Sequence, residues 1–156
     1  MKVVIFSLAD KDYGVDIERV REVIRMREIT PIPDTAEFVE GVINLRGKVI
    51  PVINLRTKLG LERKKLANSD RILITKIKSN LIGLLVDQAP EVITIDQASI
   101  VPPDDLLKDA DYLIGVAKLM ERLVLITNIE KLLNAEAAES IQKIEEKVEV
   151  RKKQDK

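Results

Sequence analysis

The 156-residue chain contains neither cysteine nor histidine. Those two absences exclude disulfides, thiolate nucleophiles, Ser-His-Asp and Cys-His catalysis, and nearly every zinc site. Aromatics are scarce: Phe6, Tyr13, Phe38 and Tyr112 are the full set, too few for the stacking platforms that bind single-stranded nucleic acid. Neither sign of charge predominates, because Lys+Arg and Asp+Glu are both 26, so no global field favours nucleic acid or an anionic membrane. No apolar run approaches a membrane span, and the short run after Lys2 ends at Ala9-Asp10-Lys11-Asp12 without the form of a signal peptide. A chain free of cysteine suits the cytoplasm. The sequence therefore predicts a soluble cytoplasmic protein without direct membrane insertion.

Glycine motifs are missing too. There is no G-x-G-x-x-G and no EF-hand loop, and a phosphate loop fails because Gly41 stands too far from Gly47-Lys48 and Val49 occupies the Ser/Thr position. Carboxylates are plentiful, yet nothing pairs them as acid and base. Asp87, closing the run Leu81 to Val86, is the best single candidate, and its commoner reading is a turn or hydrogen-bonded structural role. No enzymatic activity, cofactor or metal is expected.

What the chain does have is many short runs of Ile, Leu and Val, within a composition 46% hydrophobic and 33% charged. The clearest is Gly41 to Arg56, where Ile-Asn-Leu-Arg occurs twice, ending at Arg46 and Arg56. Arg46-Gly47-Lys48 separates two apolar runs, which predicts a hairpin of Gly41 to Leu45 with Val49 to Ile53, Gly47 supplying positive φ and Arg46 held out at the turn. Pro51 lacks an amide hydrogen and predicts an unpaired ladder position there. Further strands are read at Lys2 to Leu8, Arg71 to Ile77, Leu81 to Val86, Glu91 to Ile95, Gly115 to Leu119 and Leu123 to Ile126, with turn chemistry at Asp10 to Gly14 and a tip at Lys78-Ser79-Asn80.

Asp16 is placed to cap a turn over Ile17 to Val20, and Asn54 to cap Leu55 to Leu59, closed by Gly60. Thr127 or Asn128 would cap Ile129 to Leu133, and Thr35 to Val39 would add a helical turn. Strand, polar cap and helical turn thus recur, which points to two related lobes. Arg63-Lys64-Lys65 and Asp104-Asp105 read as solvated loop charges. After Ala135, apolar Ala138, Ile141, Ile144 and Val148 recur at helical spacing, predicting an amphipathic, charged C-terminal helix or tail over 135–156.

The stretch from Phe38 through Asn44-Leu45-Arg46-Gly47-Lys48 to Leu55 strongly resembles the CheW family of chemotaxis coupling proteins. The likeness continues through Tyr13 to Ile17, Ile82 to Asp87, Tyr112 to Gly115 and Leu125 to Leu133, covering nearly everything from Lys2 to Asn134. It implies a mainly β fold for residues 1–134: two small five-stranded, SH3-like β-barrel lobes, intertwined and packed together, with short helices. It implies a non-enzymatic adaptor coupling the cytoplasmic tip of chemoreceptors to the regulatory domain of the histidine kinase CheA, recruited to membrane receptor arrays through those partners. The alternative is a CheW-like interaction module of another two-component signalling system.

On this resemblance, receptor binding falls to Arg46, Glu22 and Val23, with Ile72 and Val86 lining an apolar groove between the barrels. Kinase binding falls to Val4, Ile17 and Val20. Each of these aliphatics also has a plainer reading as core, because strand aliphatics usually face inward, and Arg46 has one as a turn residue whose stem lies on the barrel.

Overall fold

The computed structural model describes residues 1–88, 90–103 and 111–133. The strands are β1 (Lys2–Leu8), β2 (Lys11–Asp16), β3 (Val20–Arg25), β4 (Val39–Leu45), β5 (Lys48–Asn54), β6 (Arg71–Ile77), β7 (Asn80–Val86), β8 (Glu91–Thr94), β9 (Ile100–Val101), β10 (Leu113–Leu119) and β11 (Arg122–Thr127). Two single-turn α-helices, α1 (Leu55–Lys58) and α2 (Ile129–Leu132), follow β5 and β11, and 3-10 turns over Ile17–Arg19 and Gln97–Ser99 lead into β3 and β9. The expected C-terminal helix, the 134/135 boundary and Asp104-Asp105 lie outside the described residues.

The strands form two sheets, one ordered β3-β6-β7-β5-β4 and the other β8-β1-β2-β11-β10-β9. The first is the central lobe, and the second is the flanking lobe, assembled from both ends of this run of strands. The central lobe thus falls between β2 and β8 of the flanking lobe along the chain, and the lobes are SH3-like. Their sheets curl without closing into barrels, and the short β9 gives the flanking lobe a sixth strand.

The two lobes share one topology. In sheet order, β3, β6, β7, β5 and β4 correspond to β8, β1, β2, β11 and β10. Each lobe has one parallel ladder, β5 with β7 and β11 with β2, at equivalent places. The ladders of β4 and β10 shift register just before Gly41 and Gly115. Both glycines are crossed by another backbone: a Cβ at Gly41 would lie 2.1 Å from the Thr30 carbonyl oxygen, and one at Gly115 2.6 Å from that of Val101. The caps repeat as well. The Asn54 and Asn128 amides donate to the Phe38 and Tyr112 carbonyls, both at 2.7 Å, and their side chains accept from Thr57 and Lys131 amides.

Alternation explains why the strands read as apolar throughout. In β6, Ile72 and Ile74 face the interior of the central lobe with Ile43, Ile50 and Leu85. Leu73 faces the other way, into a layer shared between lobes with Val4, Phe6, Ile53, Leu84 and Val86. In β1, Val3 and Ile5 fill the flanking lobe with Val124 and Ile126. Both β1 and β6 thus bury both faces. At about 2 kcal/mol for each fully buried aliphatic, the shared layer fixes the lobes against each other.

Some local expectations change. The first hairpin turns at Ala9-Asp10, whose φ values are +51° and +66°, so Tyr13 and Gly14 belong to β2. Thr35 to Val39 forms no helix; it leads through a turn into β4. Pro51 lies inside the sheet. Its partner Val42 turns its N–H and C=O outward to Thr30, so the missing amide of Pro51 faces β7, whose parallel ladder begins one residue later at Val52. Lys64 is not merely solvated: its Nζ holds the buried carboxylate of Asp70 at 2.6 and 2.7 Å.

Candidate docking site

Leu45 pairs with Lys48 across the β4–β5 hairpin, leaving Arg46-Gly47 as a two-residue loop with φ of +50° and +85°. Both positive angles match the primed turn that suits a twisted hairpin. Asn44 Oδ1 accepts the Gly47 amide at 2.9 Å and fixes the loop. Arg46 is consequently thrown outward, its side chain 70% exposed, with Nη2 2.5 Å from Glu22 Oε1. Glu22 sits on β3 and Arg46 at the end of β4, the two opposite edges of one sheet. The pair therefore spans the mouth of the curled central lobe. Arg27 crosses the same gap, donating from Nη1 to the Asn44 carbonyl at 3.0 Å.

Beside this pair lies an open depression of about 320 Å³, with Arg21, Glu22, Arg46 and Lys48 at its rim and an apolar lining that includes Ile74 and Leu81. Three cations surround one carboxylate there. Only Arg46 is paired with Glu22; Arg21 and Lys48 have no ionic partner among the described residues. The volume is at the small end of ligand sites, which suits a protruding side chain better than a cofactor. Among the described residues, no group of three or more His, Cys, Asp or Glu could hold a metal ion.

The residues expected to bind a receptor separate into two sets. Arg46 and Glu22 meet at the mouth, and Val23 is 42% exposed on the same strand as Glu22. Ile72 and Val86 are 0% and 1% exposed and belong to different cores. A groove between the lobes lined by them is corrected: the shared aliphatic layer fills that space, and neither side chain has surface to offer. On the expected kinase face, Val4 is likewise buried at 3%. Ile17 and Val20 pack against the shared layer but keep part of their surface.

Sequence reading missed Lys48 and Leu81 as members of the rim and lining. It also missed the aliphatics exposed on the flanking lobe: Val92, Val101, Ile114, Met120 and Leu123. The signal that finds them is the correspondence of lobes, which sets Met120 where Arg46 stands and Val92 where Val23 stands.

Asp87 has a structural use. Its carboxylate receives Arg56 Nη2 at 2.5 Å and Nε at 2.9 Å, and the Ala9 amide at 2.9 Å. The Asp87 amide in turn donates to the Ser7 carbonyl at 3.1 Å. Arg56 and Asp87 come from the central lobe, Ser7 and Ala9 from the flanking lobe, so this cluster clasps the seam. Burial pushes the Asp87 carboxyl up, but the Arg56 and Ala9 hydrogen bonds and the charges of Arg56 and Lys64 outweigh it, holding it below the usual carboxylate range. A carboxylate so fully engaged is a poor general acid.

A family profile described as CheW-like domain matches residues 2–137. Curated relatives include the chemotaxis proteins CheW of Helicobacter pylori, 35% identical over 82% of this chain and 78% of that protein, and of Bacillus subtilis, 32% identical over 89% of this chain and 90% of that one. The crystal structure of the scaffolding protein TtCheW from Thermoanaerobacter tengcongensis is similar, with a TM-score of 0.79 and 42% identity, covering 87% of this chain and 89% of that one.

Proposed function

The chain belongs to the CheW-like family, and from that premise we propose that it is a non-enzymatic adaptor of bacterial chemotaxis, coupling the cytoplasmic tip of chemoreceptors to the regulatory domain of the histidine kinase CheA. The observation that carries the receptor half is Arg46, an exposed guanidinium held out by a rigid two-residue turn beside a small apolar depression. A fixed planar fork next to apolar surface recognises carboxylates or carbonyls on a partner while neighbouring aliphatics supply buried area. Glu22 orients that fork, and Val23 extends the apolar surface along β3.

For the kinase half, the partly buried Ile17 and Val20 are the contact residues, with Val4 supporting them from the core. An adaptor of this kind works in the cytoplasm and reaches receptor arrays through its partners. No helix among the described residues is long and apolar enough to cross a membrane.

The test is assembly. The purified chain should co-elute with CheA and a soluble receptor fragment containing the signalling tip, and Arg46→Glu should weaken receptor capture about tenfold, equivalent to about 1.4 kcal/mol, while still melting cooperatively and losing no more than about 1 kcal/mol of stability with its exposed ion pair. Wild-type protein that assembles with neither partner would defeat the proposal.

A further inference from the structure

The flanking lobe provides an internal control for the depression at the central lobe. In matching registers, Glu22 corresponds to Glu91, Lys48 to Arg122, and Leu81 to Asp12. At the flanking lobe Arg122 is held on two sides, with Nε 3.0 Å from Asp12 and Nη1 2.8 Å from Glu91. Both bonds raise its pKa further above the ordinary arginine value. That mouth satisfies its own cation.

At the central lobe the same position is left incomplete. Leu81 replaces the carboxylate of Asp12, Glu22 is drawn to Arg46, and Lys48 has no ionic partner among the described residues. Arg21 adds a second unpaired cation to the rim. We infer that this mouth takes an acidic side chain from a receptor helix, whose carboxylate meets Lys48 and Arg21 while an adjacent apolar side chain of that helix rests on Leu81. The partner's carboxylate thus supplies what Asp12 supplies within the flanking lobe. Charge complementarity selects the occupant: three rim cations against one carboxylate disfavour a basic segment, and the apolar lining disfavours a purely polar one.

This inference rests on the proposed receptor role and adds Lys48, Arg21 and Leu81 to the determinants of binding. Two variants test it against the same receptor signalling-tip fragment, with affinity measured by titration. Lys48→Glu, at an exposed turn-flanking position, should weaken binding about tenfold and flatten its salt dependence. Leu81→Asp, which recreates the Asp12 arrangement, should weaken it similarly by giving Lys48 an internal partner. Unaltered melting of Lys48→Glu and unaltered CheA binding by both variants would separate this effect from misfolding. Neutralising the receptor's acidic tip residues singly should reveal one whose loss abolishes the effect of Lys48→Glu. Wild-type affinity in both variants, given a wild-type chain that binds, overturns the inference; a wild-type chain that never binds the fragment fails the receptor reading instead.

Discussion

Ile-Asn-Leu-Arg folds twice in this molecule, to opposite ends. At the first copy Asn44 is exposed and caps a hairpin loop, and Arg46 stands 70% exposed beside Glu22. At the second, Asn54 is buried and caps a helix, and Arg56 is 15% exposed, clasped to Asp87. Both asparagines accept the amide three residues on, so local chemistry is preserved. What differs is the chain that follows: Gly47 reverses it into β5, whereas Thr57 and Lys58 carry it on as α1, whose Leu55 lies in the shared core. The comparison teaches that four identical residues are assigned to recognition or to architecture by where the next turn sends them.

The largest effect should come from breaking the architectural copy. Arg56→Ala strands the largely buried Asp87 carboxylate and should cost about 3 kcal/mol, because removing one partner of a desolvated pair leaves the other uncompensated. Arg46→Ala breaks an exposed pair and should cost less than about 1 kcal/mol. Urea denaturation of both variants measures the gap. Equal losses would erase the distinction.

Acid sharpens the same contrast. Asp87 has a folded pKa below its ordinary value of 3.8, so its contribution is complete above that value and is lost as pH falls through it toward the folded pKa. Arg56 stays protonated throughout. Asp87→Asn should therefore melt well below wild type at pH 7, and the difference should shrink as pH is lowered to about 3. A difference that stays constant with pH would show that shape, and not charge, holds the seam.

Much of the fold was legible because its strands alternate between two apolar faces and its hairpin at Gly47 uses a residue suited to positive φ. The loop at Met120-Glu121 was only bracketed, by strands read as ending at Leu119 and resuming at Leu123; Met120 takes φ of +55° without being a turn former, and the pairing of Leu119 with Arg122 narrows the loop to two residues. Arg46 and Glu22, named together from the family resemblance, do meet at the mouth, whereas Ile72 and Val86 are buried and line no groove. Where both faces of a strand are buried, Ile72 and Val86 look alike in sequence, and nothing local says which core each enters or that neither reaches the surface. Lys48 and Leu81 were harder still, because their meaning comes from Arg122 and Asp12, which only strand register identifies as their counterparts.

The smallest expected effect is the most discriminating. A hairpin loop with both residues at positive φ favours Asn-Gly, and arginine at φ +50° carries a cost of about 1 kcal/mol that asparagine largely avoids. Arg46→Asn should relieve that cost and lose an exposed ion pair worth about 0.5 kcal/mol, leaving the protein as stable as wild type or slightly more so by thermal melting. The same substitution should abolish the Arg46 contribution to receptor capture. Arg56→Asn, placed in a helical turn and stripping Asp87 of its partner, should instead destabilise. Opposite signs at two copies of one motif would mean that the first arginine is kept against the preference of its own turn, which is what a docking residue requires and a structural residue does not.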